Sequence, residues 1–267
     1  MSQSLGDRIK SYEAAQTASR FLPMVPIVAR MDGKKFSKFT KRMNKPWDPA
    51  FTEAMIETTK NLVKETNARV GYTQSDEISL IFLVEDPSSE IWLAGKAMKM
   101  TSILASMTTG FFNKAMGHDS KPAFFDARVF QVPNKQEAVN ALVWRESDAV
   151  RNSISMLAQH HFSHNQLHGM STSVMQDMLM MQKGINWNDT SPVWKRGTYI
   201  QRKSRIEQMT DDILVHISEH LRHTIPKQVM RSSIVQLDLP RLTQIVNRVD
   251  VIFDGADPII ENPGHCS

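Results

Sequence analysis

The chain has 267 residues, of which 41% are hydrophobic and 22% are charged, which is typical of a globular protein with one large or two closely packed domains. It contains no apolar run near the ~20 residues that span a bilayer and no signal-peptide core, so we expect no membrane association. The lone Cys266 excludes an internal disulfide and favours a cytoplasmic location, and the net charge of +4 permits a nucleic-acid partner without requiring one.

Strands and helices alternate in the predicted structure of the first half of the chain. An N-terminal helix is expected within residues 1–21. Pro46 and Asp48 mark the start of a second helix, because proline suits a first turn and aspartate favours a helix N-terminus. The elements that follow the first helix are a strand at 25–31, a helix from 46, strands at 69–73 and 78–84, a helix at 91–113 and a strand at 124–132. This order is that of the ferredoxin-like split βαβ motif.

The sequence of the second half of the chain predicts mainly helices. They are expected at 136–145, 147–161, 164–181 and 205–222, with one short strand at 198–202. The fold class is therefore α+β, with a ferredoxin-like, polymerase-palm βαββαβ sheet and a largely helical C-terminal region. We expect residues 1–135 to form a palm-like catalytic region and residues 136–267 to form a mostly helical C-terminal region.

Two acidic segments are expected to meet at one end of the predicted sheet. Asp32-Gly33 follows the first strand as a turn, and Asp76-Glu77 lies at the tip of the predicted hairpin. In a ferredoxin-like sheet the first strand runs antiparallel beside this hairpin, so Asp32 and Asp76 should reach the same metal ion. Carboxylates and the Gly33 carbonyl are hard oxygen ligands suited to two Mg²⁺ ions in phosphoryl or nucleotidyl transfer. The alternative is a pair of solvated turns.

Basic residues cluster in three further segments. Lys96 and Lys99 are expected on one helical face, where they could neutralise a triphosphate or simply be solvated. Residues 34–45 hold six cations directly after Asp32. Residues 195–205 hold five more around Tyr199, and Trp194 precedes them. This last cluster fits contact with an RNA backbone, although a surface patch without a partner is an equal alternative.

Several motifs together resemble the tRNA-His guanylyltransferase family of 3′–5′ polymerases. The segments that carry this resemblance are Arg30-Met31-Asp32-Gly33-Lys34-Lys35-Phe36-Ser37-Lys38-Phe39, Gln74-Ser75-Asp76-Glu77-Ile78-Ser79, Lys96-x-x-Lys99, Phe125-Asp126-Ala127-Arg128, Trp144-Arg145-x-x-Asp148 and Arg196-Gly197-Thr198. The similarity covers roughly residues 5–205. It implies an enzyme with a palm-like fold that adds nucleotides to the 5′ end of tRNA, using GTP or another NTP and ATP, and that assembles as a homotetramer of two dimers.

The resemblance also implies roles for particular residues. Asp32, the Gly33 carbonyl and Asp76 would bind the two Mg²⁺ ions, and Glu77 would support the catalytic site. The implied nucleotide-binding residues are Lys34, Lys35, Phe36, Lys45, Ser75, Lys96 and Lys99. The implied activation and tRNA-binding residues are Asn152, Lys183, Lys195, Arg196 and Arg202, so residues 136–267 would contribute to 5′-end activation and tRNA binding.

One departure from the family pattern concerns specificity. Enzymes that guanylylate tRNA-His carry a His-Ile-Asn-Asn-type motif after Trp-Arg-x-x-Asp, whereas this chain has Val150-Arg151-Asn152-Ser153. It therefore resembles the guanylyltransferase-like branch, which repairs 5′-truncated tRNA by template-directed addition. The alternatives are strict guanylylation of tRNA-His, a palm-fold nucleotide cyclase, and an RNA-binding module without catalysis.

Overall fold

The structure, a computed structural model, describes residues 4–117, 121–208, 218 and 228–260. The helices in this part of the chain are α1 (Leu5–Thr17), α2 (Phe36–Phe39), α3 (Pro49–Thr66), α4 (Ala97–Met116), α5 (Lys135–His161), α6 (His164–Leu167), α7 (Thr172–Lys183), α8 (Pro192–Arg196) and α9 (Arg248–Asp254). The strands are β1 (Ile27–Gly33), β2 (Val70–Gln74), β3 (Glu77–Phe82), β4 (Phe125–Gln131), β5 (Thr198–Gln208) and β6 (Gln228–Leu237). Within the described residues no helix is both long and apolar enough to cross a membrane.

The strands of the described residues form one antiparallel sheet in the order β4-β1-β3-β2-β5-β6. Its first four members, with α3 and α4 as connections, have the ferredoxin-like βαββαβ arrangement. The predicted α+β fold class is thus confirmed. Because β1 lies between β3 and β4, its C-terminal end is flanked by the β2–β3 hairpin on one side and by the start of β4 on the other.

The local signals for α3 act as expected. The Asp48 side chain caps the helix by accepting a hydrogen bond from the amide of Phe51 at 2.9 Å, and Pro49 fills the first helical position. The apolar residues that recur every three or four positions, such as Met55 and Leu62, are buried against the sheet. This helix therefore holds one face of the sheet in place.

Both faces of the sheet are covered. Ile27, Ala29 and Met31 of β1 pack in the core beneath α3 and α4, whereas Val28 packs in a second core that includes residues of α5 and α9. Successive side chains of a strand point to opposite faces. Asp32 consequently lies on the α5 side of the sheet, and this alternation determines which helix contributes to the site.

Several predicted boundaries were wrong. Asp32 and Gly33 are the last paired residues of β1 rather than a turn. The predicted helices at 136–145 and 147–161 form the single helix α5, because Lys135–His161 contains neither glycine nor proline to end it. The predicted helix at 164–181 is instead split into α6 and α7.

The C-terminal region contains more strand than the sequence predicts. Residues 205–208 belong to β5 and not to a helix, while residues 209–217 and 219–222 of that predicted helix lie outside the described residues. Thr198 of β5 pairs with Thr73 of β2, and every residue of β6 pairs with β5. The sheet thus continues across residue 135, the expected domain boundary, and the division into two functional regions stays a prediction.

Gly33 is required by packing at the end of β1. A Cβ atom at this position would overlap the ring of Phe36, which is 4% exposed and packed in the core. We expect Gly33→Ala to lower the free energy of unfolding by about 1–3 kcal/mol, a typical penalty for overpacking. Gly110→Ala is the matched control, because a Cβ on this α4 residue meets nothing within 4 Å and should stabilise the helix by about 0.5–1 kcal/mol. Equal effects in urea unfolding would contradict the packing argument.

Candidate active site

The end of β1 and the β2–β3 hairpin bring the acidic residues together. Asp32 pairs in register with Glu77, and the amide of Gly33 donates a hydrogen bond to the carbonyl of Asp76 at 3.1 Å. Ser75 has a positive φ of 53°, which lets the chain reverse in two residues between β2 and β3. Its hydroxyl donates to the Asp76 carboxylate at 3.1 Å. The predicted meeting of the two acidic segments is therefore present in the structure.

The electrostatic environment of the two aspartates favours a bound cation. Burial raises the pKa of Asp76, and the negative charge of Asp32 raises it further. Both carboxylates line one open cleft of about 450 Å³, along with Ser75, Glu77 and Asn152. Like charges in a partly desolvated cleft repel each other, and a divalent cation between them would relieve this repulsion.

Glu77 is held by an arginine of α5. Arg145 donates through Nε and Nη2 to the two carboxylate oxygens of Glu77 at 2.6 and 2.7 Å, and through Nη1 to Asp148 at 2.6 Å. Burial raises the pKa of Glu77, while the charge of Arg145 and its hydrogen bonds oppose the rise. This bidentate geometry fixes the position of the Glu77 carboxylate beside Asp32.

The available ligands suit Mg²⁺ better than a metal ion that is held entirely by protein side chains. Among the described residues there is no group of three or more His, Cys, Asp or Glu side chains placed to hold an ion. Magnesium usually binds through one or two carboxylates, with waters and substrate phosphates as its other ligands. Asp32 and Asp76, with the Gly33 carbonyl, could supply such a set, and both carboxylates line the same open cleft.

A second cavity adjoins the carboxylate cleft. It shares Gln74, Ser75 and Met156 with that cleft, and Lys45 also lines it. The rings of Trp47 and Trp194 stack in its wall at a centroid distance of 5.3 Å and an interplanar angle of 7°. We refer to this cavity as the tryptophan pocket. A planar, apolar ligand group could pack in it while a polar part of the same ligand extends to Ser75.

The basic segment after Asp32 is only partly available to a ligand. Lys34 and Lys35 are exposed directly after the end of β1. Phe36, by contrast, is 4% exposed, and its ring packs against Phe39, Phe51, Phe112 and Phe125 at centroid distances of 4.9 to 6.0 Å. The Phe36 ring is therefore part of the core, and the predicted nucleotide binding at this position stays a prediction.

Lys96 and Lys99 lie at the opposite end of the sheet from the carboxylates. Lys96 forms an isolated bridge with Arg20 and is the N-cap residue of α4, with an extended backbone (φ −66°, ψ 104°), so only Lys99 of the predicted pair lies within the helix. Asn113, near the other end of α4, bonds to the Ala123 carbonyl just before β4, whose first residue pairs with the end of β1. Since α4 has 20 residues and is therefore about 30 Å long, its N-terminus is remote from the cleft of the same chain.

The residues expected to bind tRNA occupy different environments. Asn152 lines the carboxylate cleft. Lys183 lies over the ring of Phe162, and Lys195 lies over Trp187 while its ammonium donates to the Asn188 carbonyl at 2.5 Å.

The two arginines of this group already have backbone partners. Arg196 donates to the Leu239 carbonyl at 2.6 Å. Arg202 donates to the carbonyls of Val63 and Lys64 at 2.6 and 2.7 Å, which satisfies the C-terminal end of α3. Their contact with tRNA stays a prediction, and both guanidinium groups have a structural use.

Sequence reasoning assigned no role to Arg145 or to Trp47. Arg145 was noted only as part of a motif, and its partner Glu77 lies 68 residues away in sequence. Trp47 meets Trp194 across the fold, with no local pattern linking them. A lone arginine or tryptophan carries no periodic signal, so these contacts become visible only after the sheet is assembled.

A buried carboxyl lies directly behind the site on α5. Glu146 is 1% exposed, and its Oε2 accepts a hydrogen bond from the Leu242 amide at 2.9 Å, while Oε1 has no hydrogen-bond partner among the described residues. Burial raises the pKa of Glu146 to about 7, although the Leu242 amide and the charges of Arg196 and Arg241 act to lower it. The neighbouring phenols of Tyr72 and Tyr199, whose pKa values burial raises well above the ordinary value, stay neutral at these pH values.

The raised pKa of Glu146 predicts that the stability of the protein depends on pH. Between pH 4.5 and about 7 the folded protein binds a proton at Glu146 that the unfolded chain has released, so stability falls as pH rises through this window. We expect a slope of about 1.4 kcal/mol per pH unit from this group, and Glu146→Gln should remove it in urea unfolding at several pH values. Glu137→Gln, an exposed position of the same helix, is the control. An unchanged slope in Glu146→Gln would disprove the assignment.

A ferredoxin-like sheet with paired carboxylates at the end of its central strand and adjacent hairpin is the arrangement of a nucleotidyltransferase palm. Comparison with known proteins gives the same class. The family model for tRNAHis guanylyltransferase matches residues 6–133. A solved bacterial tRNA(His) guanylyltransferase-like protein in complex with ATP is 40% identical, with a TM-score of 0.72, over 74% of this chain and 88% of that one.

Other relatives are consistent with this result. A bacterial tRNA(His) guanylyltransferase-like protein in complex with GTP is 31% identical, with a TM-score of 0.71, over 90% of this chain and 94% of that one. A probable tRNA(His) guanylyltransferase of Drosophila melanogaster is 29% identical over 76% of this chain and 75% of its own length. The chain belongs to the tRNAHis guanylyltransferase family and is a nucleotidyltransferase.

Proposed function

We propose that this protein adds nucleotides to the 5′ end of tRNA in the 3′–5′ direction, and that it repairs 5′-truncated tRNA by template-directed addition. The main support is the meeting of Asp32 and Asp76 in one cleft beside a second cavity that shares Ser75 with it. The names of the relatives, which are tRNA(His) guanylyltransferases or proteins like them, support tRNA as the substrate. The ATP and GTP complexes of two such proteins support nucleotides as co-substrates.

In the proposed reaction the 3′-hydroxyl of the incoming NTP attacks the α-phosphorus of a 5′-triphosphate end. The new phosphodiester bond forms as the bond to pyrophosphate breaks. A 5′-monophosphate end is first adenylylated by ATP with release of pyrophosphate, and AMP is then the leaving group in the addition step. Two Mg²⁺ ions, when bound, would activate the attacking oxygen and neutralise the leaving group.

Each of the residues that form the site has its own role in this proposal. Asp32 and Asp76, with the Gly33 carbonyl, hold the ions, and Arg145 keeps Glu77 in place beside them. The tryptophan pocket suits the base of the activating nucleotide, because aromatic rings stack on bases of any sequence.

The proposal also includes the homotetramer that the resemblance implies. Lys96 and Lys99 lie far from the carboxylates of their own chain, so they contact a triphosphate there only if another copy supplies them. The mass of the protein in solution, measured by light scattering, tests the assembly.

The proposed function is tested with a tRNA that lacks its first nucleotide. This RNA is incubated with Mg²⁺ and each labelled NTP in turn, and we expect incorporation of the nucleotide complementary to the opposite strand. Changing that opposite base should change the nucleotide that is added. Addition of a base that ignores the opposite strand, or no addition, would disprove template-directed repair.

A second candidate function is strict addition of guanosine to tRNA-His. The relatives named as tRNA(His) guanylyltransferases favour it, whereas Val150-Arg151-Asn152-Ser153 lacks the histidine expected for it. Full-length tRNA-His is therefore assayed beside the truncated tRNA. Guanosine added only to the full-length tRNA would favour the second function.

A further inference from the structure

A group of aromatic and arginine side chains lies next to the carboxylate cleft. Trp144 of α5 is 53% exposed, and Phe130 of the edge strand β4 is 43% exposed. The guanidinium groups of Arg30 and Arg145 lie 5.6 and 4.7 Å from the centre of the Trp144 ring. Arg128 pairs in register with Arg30 across β4 and β1. We call Arg30, Arg128, Phe130 and Trp144 the aromatic–arginine surface.

This surface is continuous with the proposed site. Arg30 precedes Asp32 by two residues in β1, so both side chains lie on the same face of the sheet, about 7 Å apart along the strand. Arg128 and Phe130 lie on that face too, because they pair in register with Arg30 and Val28. A polymer whose end is at Asp32 can therefore extend directly over the aromatic–arginine surface.

The positive charges of this surface favour the binding of an anion. Like charges directly opposite each other on neighbouring strands are unfavourable, and Arg30 and Arg128 are such a pair. Arg128 contacts Asp126 only at 3.9 Å, with both side chains 57% exposed, so this ion pair offers little compensation. Arg30 also interacts electrostatically with Glu77, so Arg128 is the less compensated of the two. A phosphate bound between the two guanidinium groups would relieve their repulsion.

We propose that the aromatic–arginine surface binds unpaired RNA nucleotides next to the end that is extended, an inference that rests on the proposed function. Arg30 and Arg128 contact the backbone phosphates, while the exposed rings of Trp144 and Phe130 stack on bases. Unpaired nucleotides are the ones that expose their faces, and a truncated 5′ end leaves such nucleotides on the opposite strand. The positive charge favours RNA over a second protein copy as the occupant.

The test compares two RNA hairpins with the same stem. One has a blunt end and the other has an unpaired 3′ overhang, and the affinity of the full-length protein for each is measured by fluorescence anisotropy. We expect the wild-type protein to bind the overhang hairpin more tightly. Trp144→Ala and Phe130→Ala should each weaken overhang binding about tenfold, in the range of a lost base stack, and change blunt-end binding less than twofold. Trp144→Phe should retain most of the affinity.

A charge variant gives an independent readout. Arg128→Ala should lower the slope of log affinity against log salt concentration by about 0.7 for the overhang hairpin, as expected for one lost contact with a single-stranded phosphate. Tyr12→Ala, a 62% exposed aromatic position on α1, is the control and should change neither affinity nor slope. Melting temperatures of all variants report folding.

Three outcomes would overturn the inference. The first is equal binding of the two hairpins by the wild type. The second is an equal loss of affinity for both hairpins in Trp144→Ala. The third is unchanged RNA binding by Trp144→Ala together with an altered molar mass of the protein, which would make the surface a protein interface. Addition to truncated tRNA by the wild type is measured in parallel. If addition occurs but Trp144→Ala binds normally, the proposed function stands and the inference fails. If addition fails but the overhang preference depends on Trp144, the function fails and the surface remains an RNA site.

Discussion

Replacing Asp76 with asparagine should abolish nucleotide addition and leave the protein as stable as before, or slightly more stable. Burial and the charge of Asp32 raise the pKa of Asp76, so the ionised carboxylate is disfavoured in the protein without a cation. Asparagine keeps the shape and removes the repulsion, but it is a poor ligand for magnesium. A loss of several kcal/mol of transition-state stabilisation corresponds to a rate decrease of about 10³-fold or more.

The measurement is single-turnover addition to a truncated tRNA, with melting temperature as the second readout. Asp86→Asn is a matched control, because its carboxylate also accepts a hydrogen bond from a nearby serine hydroxyl, that of Ser88 at 2.8 Å, but lies outside the cleft. It should retain full activity. Activity in Asp76→Asn within tenfold of wild type would refute the assignment of the metal site.

Replacing Arg145 with alanine should damage both stability and catalysis. Arg145 and Glu77 are 19% and 16% exposed and share two hydrogen bonds, so removing the arginine leaves a largely buried carboxylate without its partner. We expect a loss of about 3 kcal/mol in the free energy of unfolding. Activity should fall because Glu77 is then free to move beside Asp32. Lysine cannot reproduce the planar fork, so Arg145→Lys should recover only part of either property.

Arg151→Ala is the control for this prediction. Arg151 pairs with the same Asp148 but is 61% exposed, so its removal should change stability by less than about 1 kcal/mol. A double-mutant cycle between Arg145→Ala and Glu77→Ala, measured by urea unfolding, reports the coupling directly. Additive effects would mean that the bidentate pair contributes nothing to stability.

The sequence alone predicted the order of elements in the first half of the chain, and the structure confirms it. Periodic burial, as in α3, and the short strands around Asp76 are local properties that a sequence displays directly. The meeting of Asp32 with the hairpin also followed, because the ferredoxin-like order fixes which strand ends are neighbours. The segment after Gly33 was expected to be a loop, whereas Phe36 begins the short helix α2 and its ring fills the core against Gly33.

Only the tertiary structure decided what surrounds the carboxylates. Arg145, Trp47 and Trp194 reach the site or its adjoining pocket from segments that are distant in sequence, and nothing in their local patterns specifies these partners. The remote position of Lys96 likewise follows from the direction of α4 across the sheet and not from its spacing to Lys99. Local sequence determines which backbone elements form, because hydrogen bonding and side-chain periodicity act over a few residues. Contacts between elements depend on packing of the whole chain, and packing sets the chemistry of this cleft.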